Sequence, residues 1–560
     1  MQRSPDHARG ARAHRLAVGG LRRLAVLLVF AAAVTAPAHA TVAIDTRTHV
    51  TLHATGTTPA PTTRISFGIP FAPGELTDPA LVRIVDAAGK EVPAAVSATL
   101  RWHFRDGSVR AVRVQIGADA MKSAPLRFET GTRRAANLAA VPYAEGLVDS
   151  SNGLRMPAVL ATLDPRWLAR SLIAGPQQPI ENDTAYDRYV ETQFEWAAAL
   201  PTSDSTAWLF DRPSTLFKLY VRSGRVEHLR AALESYRFYM AQLVRGGDRC
   251  AGGWRFLKAN PCDAKYVYVE PIVLALGLAG DDSLHDDALV RNMMAIWQTG
   301  GWSGLNGPYT KVDQAFTERH AGLGLLATVA AYELTGDASL REHIGERIGW
   351  LDDHQRANPD GLGNDGAWRH SWQRHEGADY NAGTDLRGAS PWMSENIIDG
   401  LWHAWLVTAD ARIPPMITAF GAYLEKHGWI APATIARAGT PWRDDCSGAD
   451  GQIAWYWSSS QATLDRLIAL QDSDGAYSDA HTVELGLPVA LARYFETDAA
   501  KQAAFDARLD AIEASYAPAC ARTRSTARRF NWNNRGAAAV PWLRQAADAA
   551  DPPGIPARPR

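Results

Sequence analysis

From Trp368 to Asn381 the chain reads Trp-Arg-His-Ser-Trp-Gln-Arg-His-Glu-Gly-Ala-Asp-Tyr-Asn. Taking a proton from the carbon beside a carboxylate requires a base, a cation or amide to neutralise that carboxylate, and an acid for the departing oxygen. His370, His375 and Tyr380 are the proton-transfer types in this run. Arg369 and Asn381 are the neutralising types, and Glu376 is an orienting carboxylate. Gly361, Gly363, Gly366, Gly383 and Gly388 flank the run and mark an irregular loop, the kind of segment in which a rigid scaffold presents functional groups. A polar surface loop would share this composition, so the cluster carries more weight than any single member.

Helix starts supply a second set. Phe316-Thr-Glu-Arg-His opens a long apolar-periodic segment; Glu318 suits the positive end of a helix, whereas Arg319 and His320 do not, which points to a task for both. His320 is expected to act as a general base or carboxylate ligand. Asp211 and Arg212 precede Pro213, a first-turn proline. Pro391 to Asn396 opens another helix and offers Trp392, Glu395 and Asn396, with Trp402 two turns beyond Glu395. Tyr456, Asn531 and Asn533 complete the residues expected to contact a substrate. Cleavage by paired carboxylic acids is the alternative chemistry, for which Asp211, Asp313, Glu318, Glu376, Asp379 and Glu395 are available. No phosphate-loop, dinucleotide-binding, serine-hydrolase or zinc-protease signature occurs, nor any closely spaced Cys/His ligand set. No cofactor or metal is therefore expected, with assistance by calcium left open.

The elements that must position these residues fall into two textures. Short alternating runs punctuated by Pro73–Gly74, Ala88–Gly89 and Asp106–Gly107 fill residues 41–135 and predict an all-β sandwich or small barrel. Residues 136–180 read as a linker or lead-in. From 181 to 545 the period is helical, as in Val226, Leu229, Leu233, Tyr236, Met240 and Leu243 on one face. Gly224, Gly280 and Gly336 recur 56 residues apart, each at the end of one helical run and before another, with weaker copies at Ala409 and Thr497. Tandem helical hairpins of this kind stack into a solenoid or close into a toroid. Long Trp- and His-rich insertions and a chemically loaded last segment, Arg528 to Arg535, favour an (α/α) toroid. Residues 546–560 read as a disordered tail.

Residues 1–40 carry six arginines and one aspartate, an apolar run from Leu24 to Val34, and Ala38-His39-Ala40, the order of a secretory signal peptide. A periplasmic or secreted chain starting at Thr41 is expected, with no membrane association after cleavage. The whole chain carries net charge −2, and loss of the basic leader makes it more acidic, which disfavours nucleic acid as a partner. Export makes disulfides plausible, and among the three pairings of four cysteines Cys250–Cys262 with Cys446–Cys520 is favoured.

The stretch Ile65 to Phe71, then Val82 to Asp86 with Gly89 and Val92–Pro93, then Arg101–Trp102 and Asp106 to Arg110, resembles the N-terminal β-domain of exo-acting rhamnogalacturonan lyases and their relatives. In that family a β-domain precedes a toroid of helical hairpins. The resemblance covers some fifty residues and implies the architecture and an acidic polysaccharide or oligosaccharide as partner. Joined to the residue chemistry, it yields an expected exported carbohydrate-active enzyme, a lyase cleaving a uronate-containing glycan by β-elimination. A glycoside hydrolase on the same ring and a non-catalytic glycan-binding protein are the competing readings.

Overall fold

Alternation in the N-terminal quarter resolves into ten strands: β1 His49–Ala54, β2 Arg64–Pro70, β3 Arg83–Val85, β4 Glu91–Val92, β5 Ala94–Arg101, β6 Val109–Gly117, β7 Leu126–Glu129, β8 Leu147–Asp149, β9 Arg155–Pro157 and β10 Val159–Leu163. They are seen in a computed structural model that describes residues 48–560 apart from 57–58, 182–183, 200–203, 248, 257–259, 300–306, 376–385, 432–433, 435–452, 475–480, 515–528, 552 and 560. The expected signal peptide, Tyr380, Asn381, Glu376, Asp379 and the Cys446–Cys520 pairing lie outside the described residues. Cys250 and Cys262 are disulfide-bonded, with Cα atoms 4.9 Å apart.

One sheet has the order β10-β1-β7-β3-β4 and a second the order β2-β6-β5, while β8 and β9 form a separate hairpin. Ile65, Phe67, Val112 and Val114 of the second sheet share one apolar core with Val50, Ile84, Leu126 and Phe128 of the first. The strand-rich region therefore runs well past residue 135. Strand β10 pairs antiparallel with β1, Val50 opposite Leu163, and is buried at every position. A continuous apolar run lacks the alternation that marks a half-exposed strand, which is why this segment read as a lead-in. The presumed linker is docked too, since Leu138 donates its backbone N–H to Ala94 of β5.

Fifteen α-helices follow among the described residues: α1 Pro165–Arg170, α2 Ala185–Ala198, α3 Arg212–Ser223, α4 Val226–Ala241, α5 Glu270–Leu278, α6 Asp287–Thr299, α7 Glu318–Thr335, α8 Ala338–Arg356, α9 Pro391–Thr408, α10 Ile413–Tyr423, α11 Leu464–Asp474, α12 Gly486–Phe495, α13 Ala499–Glu513, α14 Arg529–Asn534 and α15 Val540–Ala546. A two-strand ladder, β11 His370–Ser371 with β12 Arg387–Gly388, lies between α8 and α9. Helices α5, α9 and α12 are apolar nearly all round and buried, whereas α4 and α8 bury one side only. The buried helices pack in sequence, α3 on α5, α5 on α7, α7 on α9 and α9 on α12, and α14 lies against α3. No helix among the described residues is long and apolar enough to cross a membrane. The C-terminal segment is not a loose tail: Arg558 pairs with Asp551, stacks on Tyr494, and Ile555 packs against the core.

The repeated glycines mark one end of the helical array. Gly224, Gly280 and Gly336 have φ of 67°, 68° and 68°, the left-handed region a helix end exploits. Each abuts the strand-rich region, Gly224 at Leu163 and Pro165, Gly280 at Arg113, and Gly336 at His103. Arg110 of β6 reaches Glu333 of α7 at 3.2 Å, and Arg105 donates to Leu406 O of α9 at 2.6 Å. Carboxyl ends of α3, α5, α7 and α9 thus rest on the β region, and their amino ends point the other way.

Closest of all is Gly68 of β2, where an added Cβ would collide with the Gly277 carbonyl of α5. Backbone on backbone leaves nothing that can swing aside. Gly68→Val is expected to cost roughly 3 kcal/mol or more in denaturant unfolding. Gly56→Ala, where a Cβ meets nothing within 4 Å, is the control and should stay within about 0.5 kcal/mol.

Candidate active site at the helix amino ends

A narrow cavity opens between the amino ends of α9 and α12 and the short helix α14, lined by Phe210, Trp392, Glu395, Asn396, Glu484, Asn531, Trp532 and Arg535. Its walls are aromatic. Phe210 meets Trp392 and Trp532 edge-on at 6.2 and 5.3 Å, and the two indoles lie 5.6 Å apart. With about 10 Å³ open to the centre of a water molecule, it holds roughly one water in this conformation, and a sugar ring enters only if the indoles part.

The Phe210 wall sits on a strained turn. Phe210 and Asp211 both adopt left-handed backbone, φ 68° and 60°, at a cost of roughly 1–2 kcal/mol each for residues with a Cβ. Asn531 Nδ2 donates to the carbonyls of Ala207 and Leu209, Tyr268 Oη accepts from Phe210 N–H, and Asp211 Oδ1 accepts from Ser214 N–H to cap α3. Strain held by this many bonds is typical of a preorganised site.

Beneath the aromatic walls lies a buried charged layer. Lys218 of α3 pairs with Glu270 of α5 at 2.9 Å, and Arg535 pairs with Asp399 of α9 at 3.0 Å and reaches Glu395 at 3.8 Å. Two cations face four carboxyls once Asp211 is included, so not all can ionise. Burial, with Asp399 adding repulsion, pushes Glu395 up to about 8; burial, with Glu270 adding repulsion, pushes Asp211 up to about 7. Burial also works against ionised Asp399, but Arg535 and Lys218 outweigh it and hold that carboxyl below its usual range. Burial therefore favours the protonated form of Glu395. Among the described residues, Arg535 Nη1, Glu395 Oε1 and Trp392 Nε1 are buried without a hydrogen-bond partner, an unusual concentration of unmet polar capacity around one cavity.

Behind the aromatic wall, the buried His481 stacks on Trp392 with centroids 4.1 Å apart and planes 10° apart. Its Nδ1 lies 2.6 Å from Glu484 Oε1, so Nδ1 carries the proton given to the carboxylate and the ring is fixed in orientation. Tyr456 packs on Trp392 at 5.8 Å and near His481 at 6.3 Å.

Of the residues singled out in the sequence, Trp392, Glu395, Asn396 and Asn531 line this cavity, Asp211 adjoins it, Tyr456 flanks it, and Arg319 approaches the Phe210 ring at 5.8 Å. Glu318, His370 and His375 gather elsewhere. His370 Nε2 lies 2.9 Å from His375 Nδ1, and Glu318 Oε2 lies 3.7 and 3.8 Å from those two nitrogens. All three are buried, and burial first, then His375, holds the His370 imidazole well below its ordinary pKa. The single cleft expected for the histidines and both arginines is thus divided. Consecutive side chains on a helix leave it about 100° apart, so Glu318 faces the histidines, Arg319 faces Phe210, and His320 packs edge-on to Trp297. His320 is neutral there: burial, then Arg319 and Lys265, keeps its pKa well below 6.5.

Other expected contacts are structural. Arg369 is bound by Asp360 and Asp365 and carries no free charge to a ligand. Arg212 donates to Ala197 O and lies over Trp208, Trp402 stacks on Trp405, and Asn533 donates to Tyr189 Oη. Asp313 is exposed. Sequence reading overlooked Phe210, His481 and Glu484, whereas Trp532 and Arg535 belong to the chemically loaded last segment that it marked. The one available signal was position, since His481 and Glu484 stand just before α12 as Glu318 and Glu395 stand at the starts of α7 and α9.

Compared with known families, with curated proteins and with solved structures, the chain finds no match.

A pH dependence follows from the raised carboxyls. The folded state holds the protons of Glu395 and Asp211 more tightly than the unfolded chain, so their contribution to stability is complete below the unfolded carboxyl range and is lost as pH rises through about 7 and about 8. Denaturant unfolding at fixed temperature is expected to show falling stability from about pH 5 to about pH 8, less so in Glu395→Gln.

Proposed function

We propose that the chain is an exported enzyme that cleaves a uronate-containing acidic glycan by β-elimination, at an aromatic-walled mouth formed by a toroid of helical hairpins. The toroid is supported by the succession of packed helices and by the contact of α14 with α3. The observation that carries the reading is the oriented His481–Glu484 pair on Trp392, beside a cavity in which Arg535 and Glu395 keep unmet hydrogen-bonding atoms. In this reading His481 Nε2 takes the proton from the carbon beside the uronate carboxylate. Arg535, Asn396 and protonated Glu395 bind that carboxylate and lower the acidity barrier. The electron pair forms the new carbon–carbon double bond, the neighbouring carbon–oxygen bond breaks, and Tyr456 protonates the departing oxygen. Trp392, Trp532 and Phe210 stack on the sugar.

A glycoside hydrolase is the second reading, and the raised carboxyls favour it, since burial favours protonated Glu395, the form a general acid needs. Incubation with pectic, arabinogalactan-type and bacterial acidic polysaccharides separates the two. Elimination produces an unsaturated uronate that absorbs in the ultraviolet. New reducing ends without that absorbance would establish hydrolysis and overturn the lyase.

A further inference from the structure

Glu318, His370 and His375 converge from two places in the chain. Glu318 begins α7, while His370 lies in β11 and His375 follows a short helical turn, its backbone bridged to Phe316. We propose that these three side chains bind one divalent transition-metal ion of the zinc class, which fastens this loop to the start of α7. The proposal is independent of the glycan-cleaving reading.

Geometry is the first argument. Ligand atoms about 2.0–2.2 Å from a tetrahedral zinc-class ion stand about 3.3 Å from one another. The three donor atoms here form a triangle with edges of 2.9, 3.7 and 3.8 Å, close to that spacing. Donor chemistry agrees, since two imidazoles and one carboxylate are a common three-residue set for zinc.

The surroundings supply what oriented ligands need. His370 Nδ1 lies 3.1 Å from Trp368 O, so Nδ1 carries hydrogen and Nε2 offers its lone pair towards Glu318 and His375. Glu318 Oε1 accepts the Ser390 backbone N–H at 2.8 Å, which turns Oε2 to the histidines. Phe316, Trp372 and Trp457 pack around the imidazoles at centroid distances of 4.8–5.7 Å, an apolar shell that excludes competing water. With no metal bound, His375 Nδ1 holds the hydrogen between the two rings; binding a metal there moves that hydrogen to Nε2 of the same ring.

Position gives the ion a role. Ser390, held by Glu318 through its N–H, donates its hydroxyl to Tyr456 O at 2.8 Å and is followed at once by α9. Fastening Glu318 fixes the start of the helix that carries Trp392, Glu395 and Asn396.

The test uses the full mature chain, stripped with chelator and titrated with Co²⁺ and Zn²⁺ alone. Co²⁺ is expected to give the intense visible spectrum of a low-coordinate site at one equivalent, and Zn²⁺ to displace it. Saturating Zn²⁺ should raise the melting temperature by about 3–5 °C. His375→Gln and Glu318→Gln are expected to weaken binding by at least about tenfold. His103→Ala, on the β region, should bind as the parent does. If a variant fails to fold by circular dichroism, the parent's spectrum and melting shift decide alone. A weak octahedral Co²⁺ spectrum, no melting shift, or undiminished binding by a folded His375→Gln or Glu318→Gln variant would overturn the site.

Discussion

His481→Ala is expected to reduce kcat on the acidic glycan by about 10³-fold, within the range by which a positioned general base accelerates proton transfer. Loss of the stacking on Trp392 and of the bond to the buried Glu484 should also lower the melting temperature, so kcat is compared on folded protein. Glu484→Gln should act through the imidazole and cost less, about 10–100-fold, while shifting the acid limb of the pH–rate profile downward as the carboxylate's support for a protonated ring is lost. A merely structural His481 would leave that limb in place. Full activity in a folded His481→Ala enzyme would remove it from the chemistry.

Arg535→Leu is expected to have the largest effect on stability. Its guanidinium is the close cation of Asp399 and Glu395 in a buried layer, and removing one partner of a buried pair typically costs about 3–5 kcal/mol. The pH dependence identifies the cause. Asp399 titrates below its ordinary value in the fold, so the stability it supplies is present above the unfolded carboxyl range and is lost as pH falls through the depressed value. The penalty of Arg535→Leu should therefore be largest near neutral pH and shrink in acid. A penalty independent of pH, measured by denaturant unfolding, would show that packing dominates.

Helix ends were the most legible feature of the sequence. The 56-residue glycine spacing marks helix termini because only glycine enters left-handed backbone without steric cost, and all three glycines adopt it. Trp392, Glu395, Asn396 and Asn531 were found by the same attention to helix starts, and they meet at one cavity. Composition was a poorer guide. The run from Arg369 to His375 looked reactive, yet Arg369 is consumed by two aspartates and the two histidines are buried against Glu318. Burial and pairing are set by partners distant in sequence, which spacing does not reveal. Trp402 was misjudged for a related reason: i+7 keeps it on the Glu395 side of α9 but two turns deeper, among Trp405 and Tyr494. His481 was overlooked because it gains meaning only from Trp392 and Trp532, distant in sequence.

On the proposed reading, an acidic glycan binds between Phe210, Trp392 and Trp532 with its carboxylate on Arg535 and Asn396. A crystal structure of the His481→Ala protein soaked with an acidic oligosaccharide that the parent enzyme cleaves tests it most directly. The expected result is a sugar ring stacked between the parted indoles, its carboxylate within hydrogen-bond distance of Arg535 Nη1 and Asn396, and the carbon beside that carboxylate facing the space vacated by the imidazole. A sugar seated anywhere else, with the Trp392–Trp532 contact unchanged, would contradict it.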